Sequence, residues 1–301
     1  MNQISRILVP LDVSATAYHA FDYALAIATR DGAELVLLQA VPPDERFSWR
    51  DRERRALAAR LRQQAEQAQV PFFDRVQRGE PAEIILLHAR ALVPDAIVMG
   101  THQRRGLERF RAGSIAEQVV AKTTAPVLVV PPESPGPAAK PFGHVAAAVD
   151  FGPGTGDVLD LAAALARGPD DRITLLHVVA RPLSAVPAHL LGHRAADVQP
   201  PAVRDEQQRL EALADRVRQQ TPAAVHARVL PGETAGAIAG VLDEIGAGVV
   251  IAGVPQRGIL SRALFGTTAT RLLRTLDVPV LAVPCTAIAA DRKAAVDQRA
   301  A

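Results

Sequence analysis

The sequence predicts an α/β protein built from two doubly wound, five-stranded parallel sheets, each flanked by about four helices. Three observations carry this expectation. The 301-residue chain repeats its own pattern. Within each copy, short apolar runs alternate with segments whose apolar residues recur at helical spacing. The apolar runs are also continuous rather than alternating, as strands covered by helices on both faces must be.

The elements follow in order. Residues 5–11 (SRILVPL) form an apolar run ending at Asp12, and residues 144–149 (HVAAAV) end likewise at Asp150, 138 positions later. Between strands one and two, Ala17, Ala20, Phe21, Ala24, Leu25 and Ala28 share one face of a helix. The second strand, ELVLLQAV (34–41), is matched by RITLLHVV (172–179) at the same offset. Residues 51–68 are charged and Ala/Leu-rich and predict a second amphipathic helix, followed by a weaker strand signal, VPFFDRVQRG. RGEPAEII (78–85) then matches PGETAGAI (231–238), with the offset grown to 153. DAIVMG (95–100) matches AGVVIAG (247–253) and APVLVVPP (125–132) matches VPVLAVPC (278–285), both at 153. Residues 80–92 and 114–123 supply the third and fourth helices.

The second copy therefore carries 15 extra residues between its second and third strands, and the Pro/His-rich stretch 181–201 is the place for them. Five prolines mark residues 131–143 as a stiff connection. The expected organisation is a first domain over 1–132, a linker over 133–142, a second domain over 143–285 and a polar tail over 286–301.

Composition narrows the function classes. Lys and Arg total 34 against 32 Asp and Glu, a net charge of +2, so there is no basic arm to suggest nucleic acid as a partner. No apolar run approaches the roughly 18 residues of a membrane span, and the N-terminal stretch MNQISRILVPLD has no apolar signal-peptide region. Cys285 is the only cysteine, so no intrachain disulfide can form. A soluble, cytoplasmic protein is the expectation.

In an open parallel sheet, ligands bind beyond the carboxyl ends of the strands, where the strand order reverses. That edge should carry Pro10, Asp12, Ala40, Val41, Gly79, Met99 and Gly100 in the first copy. In the second copy it should carry Asp150, Val178, Gly232 and Gly253. A carboxylate there can accept hydrogen bonds from a ribose or an adenine amine. A bare glycine lets a phosphate approach backbone N–H groups. A Gly-Ser or Gly-Thr pair at a helix start adds free N–H groups and the positive dipole end. GTHQRRGLERFRAGS (100–114) and GVPQRGILSRALFGT (253–267) repeat this frame, with Arg104, Arg105 and Arg257 placed to meet phosphate charge. A structural reading stands beside the functional one: Ser114-x-x-Glu117 is a capping box that accounts for Ser114 without any ligand.

These motifs resemble the universal stress protein family, twice over, across nearly all of residues 4–132 and 143–285. ATP-binding members of that family carry G-x2-G-x9-G-[ST] after the fourth strand. This chain has Gly100-x2-Gln103-x9-Gly113-Ser114 and Gly253-x2-Gln256-x9-Gly266-Thr267, and VPLDVS and PVLVVP are also similar to the family's. The resemblance implies a Rossmann-like, adenine-nucleotide hydrolase-like fold. It also implies a stress-response module holding ATP or another adenine nucleotide, with Mg2+ as the ion that would accompany it. A further implication is pairing through the last strands, as an internal pseudo-dimer and as a homodimer. The departure is Gln103 and Gln256, where the family has glycine. A Gln adopts positive φ at greater cost, and it either closes the phosphate space or lines it. Arg104, Arg105, Pro10 and Ser114 favour the first copy as the binding half. Two alternatives remain: a nucleotide-free scaffold acting through protein contacts, and an adenylating or ATP-hydrolysing enzyme. The S-G-G-x-D-S-like loop of adenylating enzymes is replaced here by PLDVSAT and AVDFGPG.

Other chemistry is thin. No P-loop, G-x-G-x-x-G fingerprint or G-x-S-x-G elbow is present. His189 and His193 share helical spacing, but zinc needs at least one further ligand and only Asp197 is near, so no metal site is expected. His177 reads as packed and hydrogen-bonded at a strand end, and Cys285 as a thiol without a partner base. No general base for water is identifiable, so catalytic residues are not assigned.

Overall fold

The structure is a computed structural model that describes residues 4–11, 15–43, 49–101, 114–132, 134, 136–137, 140–179, 201–255 and 268–285. The first half runs β1 (Arg6–Pro10), α1 (Ala15–Asp31), β2 (Glu34–Val41), α2 (Trp49–Gln67), β3 (Phe72–Arg78), α3 (Pro81–Leu92), β4 (Ala96–Gly100), α4 (Ser114–Lys122) and β5 (Val127–Val130). The second half repeats it: β6 (His144–Ala148), α5 (Thr155–Leu165), β7 (Arg172–Val179), α6 (Pro201–Arg218), β8 (Ala224–Pro231), α7 (Thr234–Ile245), β9 (Val249–Pro255), α8 (Thr268–Thr275) and β10 (Val280–Cys285). Stretch 181–201 lies outside the described residues except for its last residue, which opens α6. No helix among the described residues is long and apolar enough to cross a membrane.

The continuous apolar runs are explained by the two cores. Along β1, Ile7 and Val9 face one cluster while Leu8 faces the other. Along β2, Leu35 and Leu37 take the first side and Val36 and Leu38 the second. Alternate residues thus point to opposite faces, and both faces are dry. In α1, Ala20, Phe21, Ala24 and Ala28 are fully buried, four of the six positions expected on its inner face. Pro81 opens α3 with no N–H to satisfy, and Gly246, at φ +65°, ends α7 in the left-handed conformation that suits glycine.

Each half is a parallel sheet of five strands, and the two sheets join edge to edge. The order is β3-β2-β1-β4-β5-β10-β9-β6-β7-β8. The join is antiparallel, with Val280 opposite Val129, Leu281 opposite Leu128 and Ala282 opposite Val127. Because it is antiparallel, the strands of the two halves run in opposite directions. The carboxyl ends of β1 and β4 therefore open on one edge of the sheet and those of β6 and β9 on the other.

Polar contacts across the join pin the halves together. Glu117 on α4 gives both carboxylate oxygens to Arg274 on α8, at 2.7 Å from Nε and 2.9 Å from Nη2. Glu117 was expected to close a capping box with Ser114. The Ser114 side chain is not among the described ones; what the structure shows is that Glu117 is engaged by a bidentate, partly buried guanidinium, a strong partner. On the opposite face Asp31, its side chain fully buried, lies between Arg30 at 2.7 Å and Arg167, just beyond the end of α5, at 3.3 Å. Arg30 also donates to Leu165 O at 3.1 Å and stacks over Phe142, 4.8 Å from the ring centroid.

Two stability measurements check this account. Asp31→Ala leaves two guanidinium groups without their buried anion and should cost about 3 kcal/mol in denaturant unfolding. Arg271→Ala, which removes only an exposed pair with Glu233, should cost under about 1 kcal/mol. His144, buried at the start of β6 and bonded to Thr174 Oγ1 at 2.9 Å, has its pKa held below the usual 6.5 by burial and then by Arg172. As pH falls below 6.5, the unfolded chain takes up this proton before the folded one does. Its contribution is therefore complete above that value and lost as pH falls through the depressed folded pKa. His144→Gln should remove that part of the acid dependence.

Candidate functional site

A cavity lies at the carboxyl edge of the second half, where the connections from β6 and β9 lead to opposite sides. Its volume is about 330 Å³. The ends of β6, β7, β9 and β10 form its walls, together with the first residues of α5, α7 and α8. The chain builds its entrance in a short loop after β6. Val149 N–H still bonds Leu176 O at 2.8 Å, continuing the ladder by one residue. Asp150 then turns out of the sheet, and its Oδ1 accepts from Gly152 N–H at 2.8 Å and lies 3.5 Å from Thr155 Oγ1. This is an Asx turn. Phe151 within it adopts φ +57°, a costly value for an aromatic residue. Its ring is held between His177, at 4.5 Å between centroids, and the Arg209 guanidinium at 4.2 Å.

His177 Nδ1 donates to Val149 O at 2.7 Å. The bond orients the ring at the strand end and, in the neutral form, leaves Nε2 as an acceptor at the cavity wall. α7 has a side-chain cap already, since Glu233 accepts from Gly236 N–H at 2.9 Å. α5 begins at Gly154 with no side-chain cap. The cavity thus offers acceptors at Asp150 and His177, and donors at an uncapped helix start.

Cys285 forms part of the floor. Its thiol contacts Val283 O at 3.3 Å and Gly154 O at 3.7 Å. A Cβ on Gly253 would meet Cys285 Sγ at 2.8 Å, and one on Gly154 would overlap both its Sγ and its Cβ. Both glycines are required by the cysteine packed against them. Burial, followed by the nearby Asp157 and Asp150 carboxylates, pushes the thiol pKa up to about 11. Asp157 is itself raised, by burial and then by Asp160.

The structure brings Asp150, Val178 and Gly253 together as walls of one cavity. Gln256, Arg257, Gly266 and Thr267 lie outside the described residues, although the flanking Pro255 and Thr268 both line the cavity. In the first half, Pro10 and Gly100 end β1 and β4, and Ala40 is the penultimate residue of β2. Met99 is buried in the core beneath α3 and α4. Thr101, directly after Gly100, is 2% exposed, and its hydroxyl has no partner among the described residues. Asp12, Gln103, Arg104, Arg105 and Gly113 lie outside the described residues, as do His189, His193 and Asp197; Ser114 opens α4, but its side chain is not described. Sequence reasoning missed Gly154, Thr155 and Cys285 as cavity residues. The available signal was the mismatch of Cys285 with Pro132 at the otherwise conserved offset of 153.

Comparison with known proteins agrees with this architecture. A model of the universal stress protein family matches the chain twice, over residues 3–131 and 141–284. A universal stress protein of Methanocaldococcus jannaschii is 32% identical over 142 residues, which are 43% of this chain and 83% of that one. One from Mycolicibacterium smegmatis is 32% identical over 136 residues, or 42% of this chain and 45% of that one. The crystal structure of a universal stress protein from Archaeoglobus fulgidus superposes with a TM-score of 0.68 at 17% identity, covering 95% of this chain and 98% of that one. At that identity the likeness speaks for the fold.

The half-buried thiol makes its own prediction. At pH 7–8 Cys285 should alkylate far more slowly in the folded chain than in denaturant, with the folded rate rising toward pH 11. Between about pH 9 and 11 the unfolded chain loses this proton first, so stability should fall across that window in the native chain and less in Cys285→Ala.

Proposed function

The chain belongs to the universal stress protein family, and from that premise we propose that it is an adenine-nucleotide-responsive module that binds ATP or a related nucleotide without efficient hydrolysis. The observation that carries the proposal is the convergence at one strand-order reversal of a carboxylate, an imidazole acceptor, a glycine and an uncapped helix start. Asp150 Oδ1 is engaged within the loop, which leaves Oδ2 to accept from ribose hydroxyls. His177 Nε2 can accept from an exocyclic amine. The N-terminus of α5 and the segment 256–267, both of whose flanks line the cavity, would face the phosphates, with Arg257 supplying charge. Among the described residues no cluster of His, Cys, Asp and Glu could hold a metal, so Mg2+ would enter on the phosphates. In the first half Asp12, Gln103, Arg104, Arg105, Gly113 and Ser114 would form the corresponding site. The pairing of the equivalent strands β5 and β10 supports reading the two halves as an internal pseudo-dimer. The single thiol, Cys285, fits a cytoplasmic setting.

Cys285 favours a second reading for the second half. Its sulfur already packs against Gly253, the first glycine of the motif. That glycine is then explained without a phosphate, and the half would act as a nucleotide-free scaffold.

Equilibrium binding of labelled ATP separates the two. Saturable binding that weakens about tenfold or more in Asp150→Ala supports the nucleotide site in the second half. No binding at about millimolar nucleotide overturns the nucleotide reading in both halves, and binding unchanged by Asp150→Ala removes it from the second half. Absorbance at 260 nm that leaves the purified protein on denaturation and filtration would reveal a ligand carried through purification.

A further inference from the structure

The ten-stranded sheet has two free edges, and they are finished differently. At the β8 edge the ladder to β7 uses the even-numbered residues, as Ala224 N–H to Asp171 O and Gly232 N–H to Val179 O show. The odd-numbered residues point outward, and α6 seals them. The Gln207 side chain donates to Ala227 O and accepts from Val229 N–H, both at 3.1 Å, as a neighbouring strand would. Arg218 donates to Val225 O from Nη2 at 2.8 Å and from Nε at 3.2 Å.

At the β3 edge the odd-numbered residues face β2, since Pro71 O accepts from Leu35 N–H and Gly79 N–H donates to Val41 O. The outward N–H and C=O groups of Phe72, Asp74 and Val76 have no partner among the described residues. Four consecutive residues, 73–76, are exposed. The large exposed hydrophobics of the described chain all lie at this corner: Phe73 at 52% and Val76 at 63% on β3, and Leu87 at 52% on α3. At the positions of Phe73 and Leu87 the second half carries His226 and Gly240. An unsealed edge strand with exposed large apolar side chains is a feature that monomeric proteins avoid.

The strand is also complementary to itself. Asp74, Val76 and Arg78 all lie on one face of β3. A twofold axis perpendicular to the sheet, midway between two β3 strands at the level of Val76, sets Val76 opposite Val76 of a second chain and Asp74 opposite Arg78, twice. The outward backbone groups of both strands then face one another, as an antiparallel ladder requires. On the other face Phe73 falls opposite Gly79, which has no side chain to obstruct the ring. Asp74 already pairs with Arg62, and Arg78 donates to Pro43 O at 3.4 Å. Both remain exposed enough to reach a neighbour.

We propose that β3 is an interaction edge at which a second copy of this chain adds its own β3 antiparallel, extending the sheet through an isologous contact centred on Val76. This contact is separate from the β5–β10 join and does not depend on the nucleotide reading. Its small size implies weak association, with a dissociation constant on the order of 1–100 μM.

Sedimentation and light scattering of the full chain without nucleotide, from about 1 to 200 μM, test it. The expected result is a concentration-dependent rise toward twice the monomer mass. Val76→Lys should hold the chain monomeric throughout. Asp74→Arg and Arg78→Asp should each weaken the dimer at least about tenfold, and the double reversal should restore it, because opposite charges again face each other. Circular dichroism melts that match the native chain's establish that the exposed substitutions leave the fold intact. A native chain that stays monomeric at 200 μM overturns the proposal. So does a dimer that survives Val76→Lys, or a double reversal that fails to recover association.

Discussion

Three opposed residue pairs, Val280 with Val129, Leu281 with Leu128 and Ala282 with Val127, join the two halves into one sheet. β5 is only four residues long and buried on both faces. Left as an edge it would present an apolar, unpaired strand to water, which is why it needs a partner. Other features depend on this join. It brings α4 beside α8, so that Glu117 can clamp Arg274, and α1 beside α5, so that Arg167 reaches Asp31. It merges the cores of the two halves on each face of the sheet. Because it is antiparallel, it sends the two strand-order reversals to opposite edges, so a ligand in one half cannot touch a ligand in the other.

The halves share a frame but have diverged around it. Val149 N–H bonds Leu176 O as Leu11 N–H bonds Leu38 O, and Gly232 N–H bonds Val179 O as Gly79 N–H bonds Val41 O. The differences lie in what covers the frame. α6 supplies Gln207 and Arg218 to close the β8 edge, while β3 stays open. His177 takes the place of Gln39, which instead donates to Arg54 O at 3.3 Å. Cys285 takes the place of Pro132 and is accommodated by two glycines. Each exchange leaves the backbone ladder intact and alters the chemistry presented to solvent, the usual route by which one fold hosts different sites.

In the second half the decisive balance is electrostatic. The described walls of the cavity carry Asp150 and His177, with Asp157 close behind, and no lysine or arginine. Anionic groups would have to be met by helix N-termini and by residues of the segment after β9. Burial, reinforced by the same carboxylates, raises the Cys285 thiol pKa, so it serves as a packing group there. The strained φ of Phe151, stabilised by the ring contacts with His177 and Arg209, holds Asp150 at the mouth.

Much of this was legible in the sequence because it depends on local pattern. The apolar runs announced strands buried on both faces, and the repeated offsets announced two copies. The helix bounds expected at 51–68, 80–92 and 114–123 fall within two residues of α2, α3 and α4. Asp150, Val178 and Gly253 could be assigned to one edge because, in a parallel sheet, strand direction alone fixes which end a residue occupies. Other features were decided only by tertiary structure, because they are pairings between residues far apart in the chain. Glu117 reads in the sequence only as a capping residue, and its pairing with Arg274, 157 positions away, appears only in the fold. Gly154 carries no distinct signal in the sequence, and its role appears only when Cys285 is seen against it. The sealing of one sheet edge by Gln207 and the openness of the other follow from helix placement, on which the periodicity of β3 and β8 is silent. Periodicity determines which face of an element is apolar. Only the packed chain decides what that face, and each backbone edge, meets.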